Sequence, residues 1–182
     1  MLLNLFDFIL AILAILINTM IDDNEKKKVK LDKKTALAKA EHYCAYQERA
    51  QQEIRDKLYE WGLWSDDVEN IISELIQTNF LNEERFTEAY VSGKFKIKRW
   101  GKIKIKQGLK LKRIPEKMIQ RALNGIDYDE YLKVILEAAQ KKAPLIKEND
   151  AFKRKFKLIS YLVSKGFEKD LILDVLKTSD LV

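Results

Sequence analysis

The stretch KFKIKRWGKIKIK, Lys94 to Lys106, alternates lysine with an apolar residue on both sides of a Trp-Gly pair. Taken alone it is a β-hairpin signal, because period-2 alternation around a two-residue break places alternate side chains on one face. One face of such a hairpin would then be almost entirely lysine. Whether the segment is a hairpin or two helix ends decides the fold class, and the rest of the chain has to settle it.

Length and composition restrict the answer. The chain has 182 residues, 47% of them hydrophobic, which suits one compact domain or a few small repeated units with a core. Six Gly and two Pro supply few tight turns, whereas Ala, Leu, Lys, Glu and Ile are abundant, which favours helix. Cys44 is the only cysteine, so an intramolecular disulfide and a cysteine zinc cluster are excluded.

From Leu31 onward the chain repeats itself. Leu58, Leu109 and Leu162 form a common origin spaced 51 and 53 residues apart. Four positions earlier stand Ile54, Ile105 and Leu158; five later, Leu63, Ile114 and Phe167; ten later, Val68, Ile119 and Ile172. At thirteen and fourteen come Ile71-Ile72, Ala122-Leu123 and Val175-Leu176. A period near 50 predicts an array of supersecondary units. The first two positions share one face of a helix, and the last three make the i, i+3, i+4 stripe of a second. Between them lie breaks at Trp61-Gly62, Lys112-Arg113 and Lys165-Gly166, with Pro115 expected at the first position of the next helix.

A third helix is expected ahead of each pair. It covers Ala36 to Arg49 in the first unit. In the second it follows an Asn82 N-cap with Glu83 and Glu84 in the first turn, and Phe86, Ala89, Tyr90 and Gly93 line one face. In the third, Asp127 and Glu130 form a capping box ahead of Tyr131, Leu132, Ile135 and Leu136. The expected fold is therefore all-α: an elongated tandem array of three three-helix repeats, about nine helices, plus an apolar N-terminal segment. The boundaries are 1–30 for the apolar segment and charged linker, 31–79 for repeat one, 80–126 for repeat two with its basic patch, and 127–182 for repeat three.

That register places Ile105 and Leu109 on a helix. The opening stretch then becomes a helix ending near Lys98, a turn at Arg99-Trp100-Gly101, and a new helix from Lys102, with the hairpin as the alternative. Ile103 and Leu111 fall off the inward face and are expected against a neighbouring helix.

The net charge is +6 and the sequence pI about 9.2. Residues 94–113 hold ten Lys/Arg and no acid: Lys94, Lys96, Lys98, Arg99, Lys102, Lys104, Lys106, Lys110, Lys112 and Arg113. Removing these from the total of 34 leaves 24 basic residues against 28 acidic ones, so the positive excess sits in one block. Such a block attracts polyanions, although a lysine run also serves as a plain solvated face.

The N-terminus, MLLNLFDFILAILAILINTMI, is unbroken in apolar character only from Phe8 to Ile17. Three readings stay open: an extension upstream of a true start at Met20, a membrane anchor over residues 1–21, or an amphipathic or core helix. No Lys or Arg precedes the run and no small-x-small site comes after it, so a secretory signal fits poorly. Lys26, Lys27 and Lys28 would keep the chain downstream of an anchor in the cytoplasm.

Catalytic chemistry has little to work with. His42 and Cys44 are two residues apart on one expected helix and point in nearly opposite directions. The glycines are isolated, so no phosphate-binding loop forms. No enzyme activity, catalytic residue, metal site or cofactor is expected.

FLNEERFTEAYV followed by KIKRWGKIKIKQGLKLKRIPEKMIQRAL resembles the RecX family of bacterial recombination regulators. AYQERAQQEIRDKLYEWGL in the first unit and KLISYLVSKGF in the third are similar to their family counterparts. The resemblance spans about residues 35–177 and leaves residues 1–30 without a match. It implies a curved all-α monomer in the cytoplasm that lies in the groove of the RecA filament and restrains its ATPase, strand-exchange and coprotease activities. It also implies a place in DNA repair and the SOS response. Weak contact with single- and double-stranded DNA is part of that expectation, and membrane contact only if residues 1–21 are genuine.

On this reading Lys94, Lys96, Lys98, Arg99, Lys102, Lys104 and Lys106 supply the electrostatic attraction, joined by Lys110 and Arg113. Arg99 offers bidentate contact with phosphate or carboxylate. Trp100 either stacks on a base or RecA side chain, or packs at the junction between units, which its position at an inter-helix turn favours. A RecA-independent DNA- or RNA-binding repeat and a membrane-tethered scaffold remain as alternatives.

Overall fold

The computed structural model describes residues 31–179 and 181. Among the described residues the chain forms nine α-helices and no strand. The apolar segment and linker of residues 1–30 lie outside the described residues.

Unit one holds α1 (Lys33–Tyr46), α2 (Gln51–Glu60) and α3 (Ser65–Gln77). Unit two holds α4 (Glu83–Lys96), α5 (Lys102–Leu111) and α6 (Glu116–Asn124). Unit three holds α7 (Tyr128–Lys142), a 3-10 turn at Ala143–Leu145, α8 (Ala151–Ser164) and α9 (Lys169–Lys177). Within each unit the three helices pack on one another.

The helices begin where the sequence offers a cap. Asp32, Asn82 and Asp127 each accept a hydrogen bond from the backbone N–H three residues on, at 3.0, 2.9 and 2.8 Å, so the first helix of every unit starts the same way. α1 stops at Tyr46, short of the expected Arg49, because Gln47 turns extended with φ −163°. Pro115 stands one position ahead of α6 rather than inside it.

The repeat has a mechanical explanation at the end of each second helix. Gly62, Arg113 and Gly166 occupy equivalent positions with φ of +83°, +59° and +92°. In each case the next residue, Leu63, Ile114 or Phe167, donates its N–H to the carbonyl of Leu58, Leu109 or Leu162 at 3.2, 3.2 and 3.3 Å. This is the Schellman closure, whose hydrophobic contact joins the two residues flanking the left-handed turn. The apolar residues at origin and plus five are therefore partners in one device. Of the eighteen repeated apolar positions, all but the half-buried Ala122 lie in the core.

The opening stretch is two helix ends. α4 closes at Lys96, Arg99 takes a left-handed φ of +52°, and α5 starts after Gly101. Two expectations about side-chain direction fail. Ile103 and Leu111 are 45% and 85% exposed instead of packing on a neighbour. Ala89 is also exposed; α4 buries Phe86, Thr87, Val91 and Phe95. For Ala89 the cause is the placement of α6, which packs against the Val91–Phe95 side of α4.

Two cores result. One contains unit one; the other runs through units two and three and takes in Ala50 from the start of α2. The junction of units two and three is built from backbone. Gly101 N–H donates to Lys165 O at 2.9 Å and Ile103 N–H to Gly166 O at 3.0 Å, so the free carbonyls ending α8 satisfy the free donors starting α5. Lys102 N–H, between them, donates to Tyr131 Oη at 2.8 Å. Tyr131 is fully buried between Phe95 and Phe167 and donates to Glu168 at 2.6 Å; burial and that carboxylate push its phenol well above the ordinary range. The junction of units one and two uses side chains instead: Lys112 Nζ pairs with Glu53 at 2.7 Å, Arg85 with Glu48, and Gln51 N–H reaches Glu83 at 3.4 Å.

Candidate polyanion-binding surface

The ten-cation block is divided by the fold into cations held by the protein and cations left to solvent. Trp100 is half-buried against the shared core of units two and three. Its ring lies between two lysines, with Lys94 Nζ 5.0 Å and Lys104 Nζ 4.9 Å from the ring centroid. Lys94 also sits 5.0 Å from the Tyr90 ring, and Lys102 Nζ 4.9 Å from that of Tyr131. Ammonium groups over ring faces are stabilised by the ring quadrupole, and each keeps a hydrated side available to an anion. Lys104 further donates to Ser164 O at 3.1 Å, stapling α5 to the end of α8.

Other members of the block are paired with acids from elsewhere in the fold. Arg99 meets Glu137 at 3.3 Å. Lys106 and Lys110 converge on Glu116, the second of them at 3.5 Å, and the Lys106 and Gln120 hydrogen bonds hold this carboxyl down to about 2. Lys96, Lys98 and Arg113 are exposed and take part in no ion pair among the described residues. The residues best placed to meet a polyanion are therefore Lys96, Lys98 and Arg113, followed by the aromatic-mounted Lys94, Lys102 and Lys104.

Apolar side chains accompany them. Tyr90 and Trp100 form the floor of an open depression of about 420 Å³ whose rim includes Lys104, Lys112 and Leu111. Gly108 makes this floor possible: a Cβ there would come within 2.2 Å of Tyr90 Oη. On the other side of Tyr90, a second depression of about 430 Å³ carries Lys94, Lys98 and the 77%-exposed Ile97. Tyr90, Gly108 and Ile97 were not among the sequence candidates. Glu116 was overlooked too, although an acid directly after Pro115 at a helix start is a recognisable signal. Among the described residues no cluster of His, Cys, Asp or Glu suits a metal ion. Nor, among them, is any helix long and apolar enough to cross a membrane.

Comparison with known proteins agrees with this arrangement unit by unit. Residues 36–75 match the first three-helix domain of RecX, 82–123 the second and 129–176 the third. The regulatory protein RecX of Prosthecochloris aestuarii is 31% identical over 145 residues, covering 80% of this chain and 93% of that one. The regulatory protein RecX of Clostridium perfringens is 33% identical over 124 residues; the match covers 67% of this chain and 58% of the Clostridium protein. The crystal structure of RecX from Lactobacillus salivarius superposes with a TM-score of 0.73 at 25% identity, over 82% of this chain and 97% of that one. Three consecutive domain matches in order, on a fold shared with RecX crystal structures, establish the assignment: this chain belongs to the RecX family of regulatory proteins.

Proposed function

We propose that this chain binds the RecA nucleoprotein filament in the cytoplasm and restrains its ATPase, strand-exchange and coprotease activities, acting by binding and not by catalysis. The observation that carries the proposal is the concentration of cations on α4 and α5 of the middle unit, Lys94 and Lys104 at Trp100, Lys98 on the Tyr90 side and Lys96 across the helix, with a further unit on each side. A filament on DNA is a polyanion threaded through a helical protein array. A three-unit rod with its free cations in the middle can span protein on both sides while Lys96, Lys98 and Arg113 approach phosphate. Each phosphate neutralised releases counterions, which makes the attraction salt-dependent.

The test is RecA-driven ATP hydrolysis and strand exchange with the purified chain added. Inhibition at equimolar or lower ratio supports the proposal, and full activity at that ratio refutes it. Affinity for bare DNA against RecA-coated DNA separates this reading from a general nucleic-acid binder. A preference for the coated form is expected. Changing Lys96, Lys98 and Arg113 to Gln should weaken filament binding and flatten its salt dependence without altering the fold.

A further inference from the structure

The repeat register aligns α8 with α5, and α8 carries a basic stretch of its own. Between Ala151 and Ser164 stand Lys153, Arg154, Lys155 and Lys157, with no acidic residue. Lys155 and Lys157 fall at the positions that Lys102 and Lys104 hold in α5. α5 begins at the carbonyls where α8 ends, and the basic stretch of α8 lies at its opposite end, roughly 15 Å along the helix axis. Unit one breaks the series, with Gln51 and Glu53 at the equivalent places.

The aromatic content of this helix is unusual. Phe152 is 79% exposed and Phe156 65%, while the same helix buries Leu158 and Leu162 completely. The two rings are four residues apart, so they lie on one face about 6 Å from each other along the axis. Together with Lys153 and Lys157 they line an open cleft of about 320 Å³. Nearby acids are already engaged: Glu148 pairs with Lys157 at 2.8 Å, and Asp150 accepts from Lys153 N–H at 2.8 Å. Lys153 and Lys155 have no ion-pair partner among the described residues.

The geometry points to a second binding element at the start of α8, a stacking platform for single-stranded nucleic acid that needs no RecA. Phe152 and Phe156 take successive unstacked bases on their faces, and Lys153 and Lys155 take the flanking phosphates. Aromatic faces interleaved with cations suit a polymer that alternates flat bases with charged groups, and the stacking is indifferent to base identity. A lipid surface fits less well. Two exposed rings in the first turns of the helix offer much less apolar area than an interfacial helix buries. An acidic protein segment would use the lysines but leave the ring faces without a partner.

The test uses the full chain without RecA and tracks the fluorescence anisotropy of two labelled probes: an oligodeoxythymidylate and an abasic oligonucleotide of equal length. Wild type should bind the thymidylate more tightly. Phe152→Ala/Phe156→Ala should lower that affinity about tenfold or more, leave abasic binding unchanged, and keep the slope of affinity with salt. Lys153→Gln/Lys155→Gln should weaken both probes and reduce the salt slope by about 0.7 per lysine. Both pairs of changes lie on exposed or partly exposed positions, and an unchanged thermal melt verifies the fold. Equal binding of the two probes by wild type would overturn the platform, as would wild-type thymidylate affinity in the phenylalanine variant. So would a phenylalanine-dependent association with vesicles of phosphatidylglycerol that the oligonucleotide does not match.

Discussion

Replacing Gly101 by alanine should damage the protein far more than its ordinary backbone conformation implies. Gly101 has φ −77°, which any residue adopts, so no left-handed strain is involved. The obstacle is the third unit. An added Cβ would stand 2.1 Å from Gly166 O, 2.2 Å from Gly166 C and 2.4 Å from Phe167 N. All three are backbone atoms, so relief requires the ends of α5 and α8 to separate. That separation breaks the bonds from Gly101 N–H to Lys165 O and from Ile103 N–H to Gly166 O. Two such bonds are worth about 1–3 kcal/mol together, and forcing extra volume into a packed junction costs about 1–3 kcal/mol more. A loss of about 2–6 kcal/mol is a large share of the ~5–15 kcal/mol that holds a typical domain folded. Gly93→Ala is the internal control. It lies within α4 and a Cβ there meets nothing within 4 Å, so it should gain about 0.5–1 kcal/mol. Urea unfolding monitored by circular dichroism at the helix band would compare the two. If Gly101→Ala unfolds within about 0.5 kcal/mol of wild type, the end-to-end junction of α5 and α8 is wrong.

Three further outcomes are expected. The Glu116 carboxyl, lowered from its ordinary 4.5 to about 2, should titrate by carbon NMR near that value and return toward 4.5 in Lys106→Gln. Because folding lowers this pKa, its stabilising contribution is complete above about 4.5 and vanishes as pH falls toward 2; a normal midpoint in wild type would remove the Lys106–Glu116–Gln120 cluster. Burial pushes the Cys44 thiol up to about 11, so iodoacetamide at pH 8 should modify it only after unfolding, and prompt labelling of the native chain would contradict the packing of α1. Asn82→Ala removes the cap on Arg85 N–H and should cost about 1 kcal/mol, while Asn82→Asp should cost little; equal stability of all three forms would show the cap to be idle.

The fold was readable because the Schellman closure uses two apolar residues at a fixed separation. Leu58 with Leu63, Leu109 with Ile114, and Leu162 with Phe167 leave a periodic trace that survives while the residues between them change. The turn glycines were readable only where glycine fills the left-handed position, at Gly62 and Gly166. Arg113, Arg99 and Asn79 adopt the same φ without announcing it. Gly101 was readable as a turn residue, but the reason for its smallness, the backbone of Gly166, lies in another unit. The candidate surface was half readable. The cations could be counted from the chain, but their division into held and free depends on partners such as Glu53, 59 residues from Lys112, and distant pairs leave no period. Phe152 and Phe156 escaped notice because two phenylalanines four apart look like core spacing until the helix is seen to turn them outward.

The contrast between the two junctions gives the molecule unequal joints. Units two and three are joined through peptide groups and one continuous core, a link that ionic strength hardly touches. Unit one is joined by Ala50 and Leu81, each buried in the neighbouring core, and by Glu53–Lys112, Glu48–Arg85 and the side chain of Glu83; partly exposed ion pairs of this kind contribute only about 0–1 kcal/mol each and are weakened by salt. The two junctions therefore differ in their response to ionic strength: added salt weakens the ionic part of the joint to unit one and leaves the peptide-group joint as it is.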